Sequence, residues 1–206
     1  MSQTTNTILK LEINNVTVAY DNTKEILSDF SFIISRNGLF QLKGKNGSGK
    51  TTILELISGH LLPTKGRVKV LGKNAQELTL SDSRRICRTN MALFPYINVI
   101  DHLQIFSKWA GTPLEFTVER AKKYKLEEWF HTPTLELSEG TKKKLWIILT
   151  TLGEFELLVL DEPFETLDHR SKELLKTEIE NWKKEKVVLL ITHSEHKLEL
   201  TGAFSL

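Results

Sequence analysis

The sequence predicts an α/β fold with a mainly parallel sheet, an N-terminal antiparallel β-subdomain and a helical insert subdomain. Three observations carry this. The first forty residues alternate apolar and polar positions, two later runs (LLVL at 157–160 and VVLLI at 187–191) are wholly apolar, and stretches of helical period separate the strands. A strand with one wet face alternates, whereas a parallel strand covered on both faces has no polar side to show.

Taken in order, Leu9, Leu11 and Ile13 alternate with Lys10, Glu12 and Asn14, and strand runs follow at 16–20 and 30–34. LFQLK at 39–43 reads as a strand, a Gly-rich turn follows, and Ile53, Leu54 and Ile57 recur with helical period before Gly59. A strand is predicted at 67–71 and helices at 99–110 and 116–125; the middle third shows no convincing strand run. Ser138 can cap a helix to about residue 152. A helix over about 169–185 shares Leu175, Ile179 and Trp182 on one face, between the two buried strands.

Composition narrows the function classes. The 206 residues, 40% of them apolar and 26% charged, can bury one substantial core and match ordinary globular usage. Lys plus Arg (28) exceed Asp plus Glu (26) by 2, too even a balance for the basic footprint of nucleic-acid binding, so no nucleic-acid partner is expected. No window approaches the roughly 18 consecutive apolar residues of a membrane span. The opening MSQTTNTILKLEINN lacks a basic stretch followed by an apolar one, so no secretory signal is expected. Cys87, the one cysteine, leaves no intrachain disulfide, reads as a buried or incidental thiol, and fits a reducing cytoplasm.

The chemistry lies in GKNGSGKTT, residues Gly44, Lys45, Asn46, Gly47, Ser48, Gly49, Lys50, Thr51 and Thr52, which matches G-x-x-x-x-G-K-[ST] between a predicted strand and a predicted helix. Its glycines let the backbone wrap so that N–H groups face phosphate oxygens, aided by the positive end of the following helix. Lys50 can reach the β- and γ-phosphates, and Thr51 offers a hydroxyl to Mg²⁺. LLVLDE places Asp161 and Glu162 at the carboxyl end of a buried strand, where ligands of open α/β sheets bind. Asp161 is the metal candidate, and Glu162 the candidate for positioning or deprotonating the attacking water. These motifs predict a P-loop nucleotide hydrolase.

LSEGT at 137–141 lies between the two motifs and decides which kind. With it, the chain resembles the ATP-binding subunits of ABC transporters, with motifs in the family's order over nearly the whole length. The resemblance implies one domain over 1–206, with a β-subdomain and RecA-like core at about 1–89 and 154–206 and a helical subdomain at about 90–153. It implies an ATPase using ATP and Mg²⁺, and a head-to-tail dimer with a second such subunit, in which Ser138 and Gly140 of one copy cap the γ-phosphate held by the other. The engine would drive a separate integral-membrane permease from the cytoplasmic face. By the same resemblance Tyr20 stacks on adenine, Asp168 belongs to a loop crossing the dimer interface, and His193, after the last apolar run, contacts the γ-phosphate. Asn90 stands near the position of the family's glutamine, one methylene shorter, and can still offer an amide oxygen to Mg²⁺. The signature's third residue is Glu139 rather than glycine, a variant that looks like exporter-type subunits. Lys142 to Lys144 read as a solvated helix face. A nucleotide-switched clamp or regulatory subunit is the other class open, although the short insert lacks that class's long coiled coil.

Overall fold

The computed structural model describes residues 9–20, 24–77, 79, 83–194 and 197–206, with Tyr20 and Lys24 described by backbone only. Strands β1 (Leu11–Tyr20) and β2 (Lys24–Ile34) pair antiparallel. The two runs expected at 9–13 and 16–20 form one strand, because the register shifts between Ile13 and Val16, where Asn15 takes a φ of 49°, absorb the break. Strand β4 (Lys65–Val70) flanks β1 on its other side and the short β5 (Lys73–Asn74) follows, so this sheet runs β2-β1-β4-β5.

The second sheet is parallel. It comprises β3 (Gly38–Lys43), β6 (Arg84–Cys87), β7 (Leu157–Asp161), β8 (Val187–Thr192) and β9 (Gly202–Ser205), in the order β6-β7-β8-β3-β9. The wholly apolar strands feed two cores. Leu157, Val159, Val187, Leu189 and Ile191 pack toward helix α1 (Lys50–Ser58) and the antiparallel sheet, while Leu158, Leu160, Val188 and Leu190 pack on the opposite face. Each such buried side chain contributes about 1.5–3 kcal/mol relative to exposure, so a polar residue anywhere from Val187 to Ile191 would cost one core or the other.

Strand β6 corrects the expectation of a strandless middle third. Its sequence, RRIC, carries two arginines and is held as an edge strand by β7, with Arg84 donating to the carbonyls of Ile57, Ala75 and Ser58 at 2.6–2.8 Å. Neighbour pairing, not local pattern, makes the strand. The same holds for β9, which the alternation of its four residues does not announce.

The insert contains α2 (Val99–Ala110), α3 (Leu114–Lys123) and α4 (Glu139–Thr150), and α5 (His169–Trp182) returns to the parallel sheet. Helix α3 begins two residues earlier than expected, directly after Pro113, which suits a helix start. Helix α4 serves both regions: Trp146 and Ile147 join the sheet's second core, while Leu145, Ile148 and Leu149 join the insert's own core with Val99, Leu103 and Tyr124. A further bridge ties α3 to α5, where Arg120 meets Glu178 through two bonds of 2.7 and 2.8 Å and Tyr124 donates to the same carboxylate at 2.9 Å. Among the described residues no helix is long and apolar enough to cross a membrane.

His102 on α2 is fully buried, with Nδ1 2.9 Å from the Asn98 carbonyl and Nε2 3.0 Å from the Phe94 N–H. The ring satisfies both contacts only as the neutral Nδ1–H tautomer, and burial accordingly depresses its pKa below 6.5. The unfolded chain binds this proton and the folded one resists it, so stability is full above the unfolded value and falls as pH drops through 6.5. The urea midpoint should therefore fall between about pH 7.5 and about pH 5.5, and by less in His102→Gln, which has no proton to gain.

Candidate active site

Four parallel strands deliver their carboxyl ends to one edge of the sheet. After β3 the chain wraps from Gly44 to Gly49, with Gly47 and Gly49 at φ values of 82° and 98°. Both lie in the left-handed region that a Cβ disfavours. A Cβ on Gly49 would also approach Leu27 to 2.9 Å, and one on Gly44 would reach the Ser48 hydroxyl at 2.2 Å. Helix α1 then starts at Lys50, so its free N–H groups open onto the loop. Lys50 Nζ donates to the carbonyls of Gly44 and Lys45 at 2.7 and 3.2 Å, lying across the loop where phosphate oxygens would draw it. Ser48 Oγ is the buried side-chain polar atom without a partner among the described residues.

A cavity of about 610 Å³ opens at this edge, lined by Asn46, Gly47, Gly49, Lys50, Thr51 and Thr52 from the loop and by Asp161, Glu162 and His193 across from it. A second depression of about 480 Å³ shares Asn46 and His193 with it and adds Gly44 and Lys45. The residues predicted to hold phosphate and those predicted to act on water thus face one space. Thr51 and Asp161 offer only oxygen donors there, the ligand chemistry Mg²⁺ takes.

Glu162 sits at φ 42°, a left-handed conformation costly for a side-chain-bearing residue, fixed by its N–H bond to the Ile191 carbonyl at 2.9 Å. Its carboxylate is held from two sides. Oε2 accepts from the Thr192 hydroxyl at 2.7 Å, and Oε1 accepts from the His193 N–H at 2.9 Å and lies 2.7 Å from His193 Nδ1. Burial pushes its pKa up, but the bonds from Thr192 and His193 outweigh burial and leave it below the ordinary value. Nδ1 faces the ionised carboxylate and presents an N–H to it, and Nε2 is the ring nitrogen that Glu162 does not engage. Glu165 also lines the cavity and reaches within 4.0 Å of His193 Nδ1.

Other predicted residues lie elsewhere. Asn90 lines a neighbouring cavity of about 240 Å³, and the adjacent Thr89 lines both. Thr89, not Asn90, meets Asp161: its hydroxyl and N–H reach Oδ2 at 2.7 and 3.3 Å. Ser138 caps α4 by accepting from Thr141 N–H at 3.2 Å, and a Cβ on Gly140 would come within 2.7 Å of the Thr166 carbonyl. Neither lines the 610 Å³ cavity. Asp168 caps α5 through Ser171 N–H at 2.8 Å and pairs with Lys144 at 2.5 Å; Lys144 foremost holds its pKa down to about 2. The side chain of Tyr20 lies outside the described residues.

The expectation of a solvated face at Lys142 to Lys144 needs correction. Lys143 is buried and donates to the Asp161 carbonyl at 3.3 Å, Lys144 is the partner of Asp168, and Lys142 pairs with Glu139 at 3.1 Å. The turn of α4 after the signature is thus tied to the end of β7 and to the end of the loop that follows it. Cys87 is buried and its thiol is pushed up by desolvation, as an inert core residue requires. Sequence reasoning missed Thr89, Thr192 and Glu165. The signal for the first two is position: each stands at or just past the carboxyl end of a parallel strand, beside the carboxylates.

Comparison with known proteins follows the same lines. A family described as ABC transporter matches residues 27–165. An uncharacterized ABC transporter ATP-binding protein of Methanocaldococcus jannaschii is 31% identical over 92% of this chain and 70% of its own length. A Vibrio vulnificus ABC transporter ATP-binding relative is 31% identical over 90% of this chain, which spans only 34% of that protein. Among solved structures, a Pyrococcus furiosus chain assigned as an ABC transporter ATP-binding protein superposes with a TM-score of 0.79 at 26% identity, covering 95% of this chain and 96% of that one.

Proposed function

The chain belongs to the ABC transporter family, whose ATP-binding members are ATPases, and from that premise we propose that it hydrolyses ATP with Mg²⁺ in an ATP-bridged dimer that powers a separate membrane permease. One observation carries the reading: the phosphate loop, Asp161, Glu162 and His193 all face the same 610 Å³ cavity. The loop amides and Lys50 would hold and neutralise the γ-phosphoryl oxygens, which is most of what this reaction asks of a protein. Mg²⁺, held by Thr51 and Asp161, would supply further charge neutralisation across the phosphates. Glu162 is ionised and kept in place by Thr192 and His193, so its remaining lone pairs can accept from a water and align it. His193 Nε2 is the ring atom left to meet the phosphate side.

Ser138 and Gly140 stand away from the chain's own cavity at the N-terminus of α4, which supports their use on the nucleotide of a second copy. The permease reading is supported by exposed Phe94, Tyr96 and Leu135: Leu135 lines the 240 Å³ cavity with Leu93 and Pro95, and Phe94 and Tyr96 flank Pro95 in the chain. Grouped exposed apolar side chains mark contact surfaces. We take the subunit to sit on the cytoplasmic face of the membrane, with the domain limits that the resemblance implies, about 1–89 and 154–206 for the core and about 90–153 for the insert. Export is the direction favoured by the LSEGT variant. Affinity capture from detergent-solubilised membranes of the native host tests the partner: a multi-spanning protein is expected with the wild type and lost with a Phe94→Ser/Tyr96→Ser double variant. Recovery of ribosomal or DNA-bound partners instead would support the clamp class.

A further inference from the structure

We propose that Thr89 is a positioning residue for Asp161, fixing which carboxylate oxygen is presented to a metal ion. The proposal rests on the reading of Asp161 as the metal partner. Strand β6 pairs in parallel with β7 at Cys87 and Leu160, so the chain two residues beyond Cys87 arrives beside Asp161 at the sheet edge. There the Thr89 hydroxyl donates to Asp161 Oδ2 at 2.7 Å and the Thr89 N–H reaches the same oxygen at 3.3 Å. The hydroxyl also lies 3.3 Å from the Asp161 carbonyl, but it has one proton, and the shorter contact takes it. Lys143 supplies the carbonyl with a donor at 3.3 Å instead. Among the described residues no donor reaches Oδ1.

A carboxylate with both oxygens free turns about its last torsion and offers either one, because that torsion is broad. Two donors on Oδ2 remove this freedom and leave Oδ1 as the oxygen that Thr89 does not engage, in the cavity that Thr51 also lines. Thr89 is exposed and lines the wall shared by the nucleotide cavity and the 240 Å³ cavity, so its hydroxyl is not needed to fill a core. It is thus the polar contact to Asp161, whereas Asn90, one residue on, lines the 240 Å³ cavity and not the nucleotide cavity. Outer partners of this kind orient metal ligands, and removing one weakens metal binding by about 10- to 100-fold. A neutral hydroxyl backed by a surviving N–H bond places Thr89 at the low end.

The test is Mn²⁺ binding to the full chain saturated with a non-hydrolysable ATP analogue, read from the electron paramagnetic resonance signal of free Mn²⁺. Thr89→Val should weaken Mn²⁺ binding about 10-fold, and Thr89→Ser should stay within about threefold of wild type. Analogue binding in excess chelator should be unchanged in both, which separates orientation of the metal ligand from general damage to the site. Asp161→Asn is measured alongside. If it weakens Mn²⁺ binding while Thr89→Val does not, the role of Thr89 is overturned and the metal reading stands. Wild-type Mn²⁺ affinity in Asp161→Asn overturns the metal reading and this proposal with it. Should the valine variant fold poorly by urea titration, Thr89→Ala takes its place with the same expected loss.

Discussion

Glu162→Gln should lower steady-state ATP turnover by about 10²- to 10⁴-fold, the range that a positioned acid–base group supplies, while nucleotide affinity stays near wild type. The side chain is almost isosteric, but the amide cannot take a proton from the attacking water. It also disturbs the present arrangement, since Oε1 and Oε2 serve three donors, and an amide nitrogen at either place would face the hydrogen of Thr192 or His193. Binding survives because the phosphate loop and Lys50 are untouched. With hydrolysis stalled, ATP should trap a species of twice the monomer mass on gel filtration, and ADP should not. Turnover within about threefold of wild type would remove Glu162 from the mechanism.

Lys50→Met should weaken ATP binding by about 10- to 100-fold, as loss of one charged hydrogen bond of about 1.5–3 kcal/mol requires. The methionine retains the unbranched stem and loses only the ammonium. In the structure that ammonium spans the carbonyls of Gly44 and Lys45 at 2.7 and 3.2 Å, so its removal also frees the loop's own carbonyls. Gly44 is half-buried and Lys45 exposed, so water can replace the ammonium and the thermal midpoint should move little. Isothermal titration with ATP and with adenosine separates the effects: ATP affinity should fall, and adenosine affinity should not. Equal losses for both ligands would show that the lysine acts by shaping the loop rather than by meeting phosphate.

The parts most legible in the sequence were those with a local cause. The two apolar runs became the central parallel strands β7 and β8, since a strand between two cores admits no polar face. Ser138 and Asp168 each cap the helix their position predicts, because a cap is settled within one turn. The phosphate loop was readable for the same reason, its glycine spacing being a requirement of backbone dihedrals. Strands β6 and β9 were not legible, since Arg84 and Arg85 become strand residues only when β7 offers its edge and Arg84 finds three distant carbonyls. The lysines after the signature misled in the same way. A charge run on a helix reads as solvated until the end of β7 and the loop after it bring Asp161 and Asp168 to it.

By itself, then, the sequence determined the fold class, the loop that wraps phosphate and the carboxylates at a strand end, all set by interactions within a dozen residues. Which residues share the site was decided by tertiary structure alone. The parallel order β6-β7-β8-β3 lines up Thr89, Asp161, Thr192 with His193, and the phosphate loop, although over a hundred and forty positions separate Gly44 from His193. Thr89 rather than Asn90 meets Asp161, and Thr192 joins His193 on Glu162, because strand register rather than sequence spacing sets which side chain stands beside which.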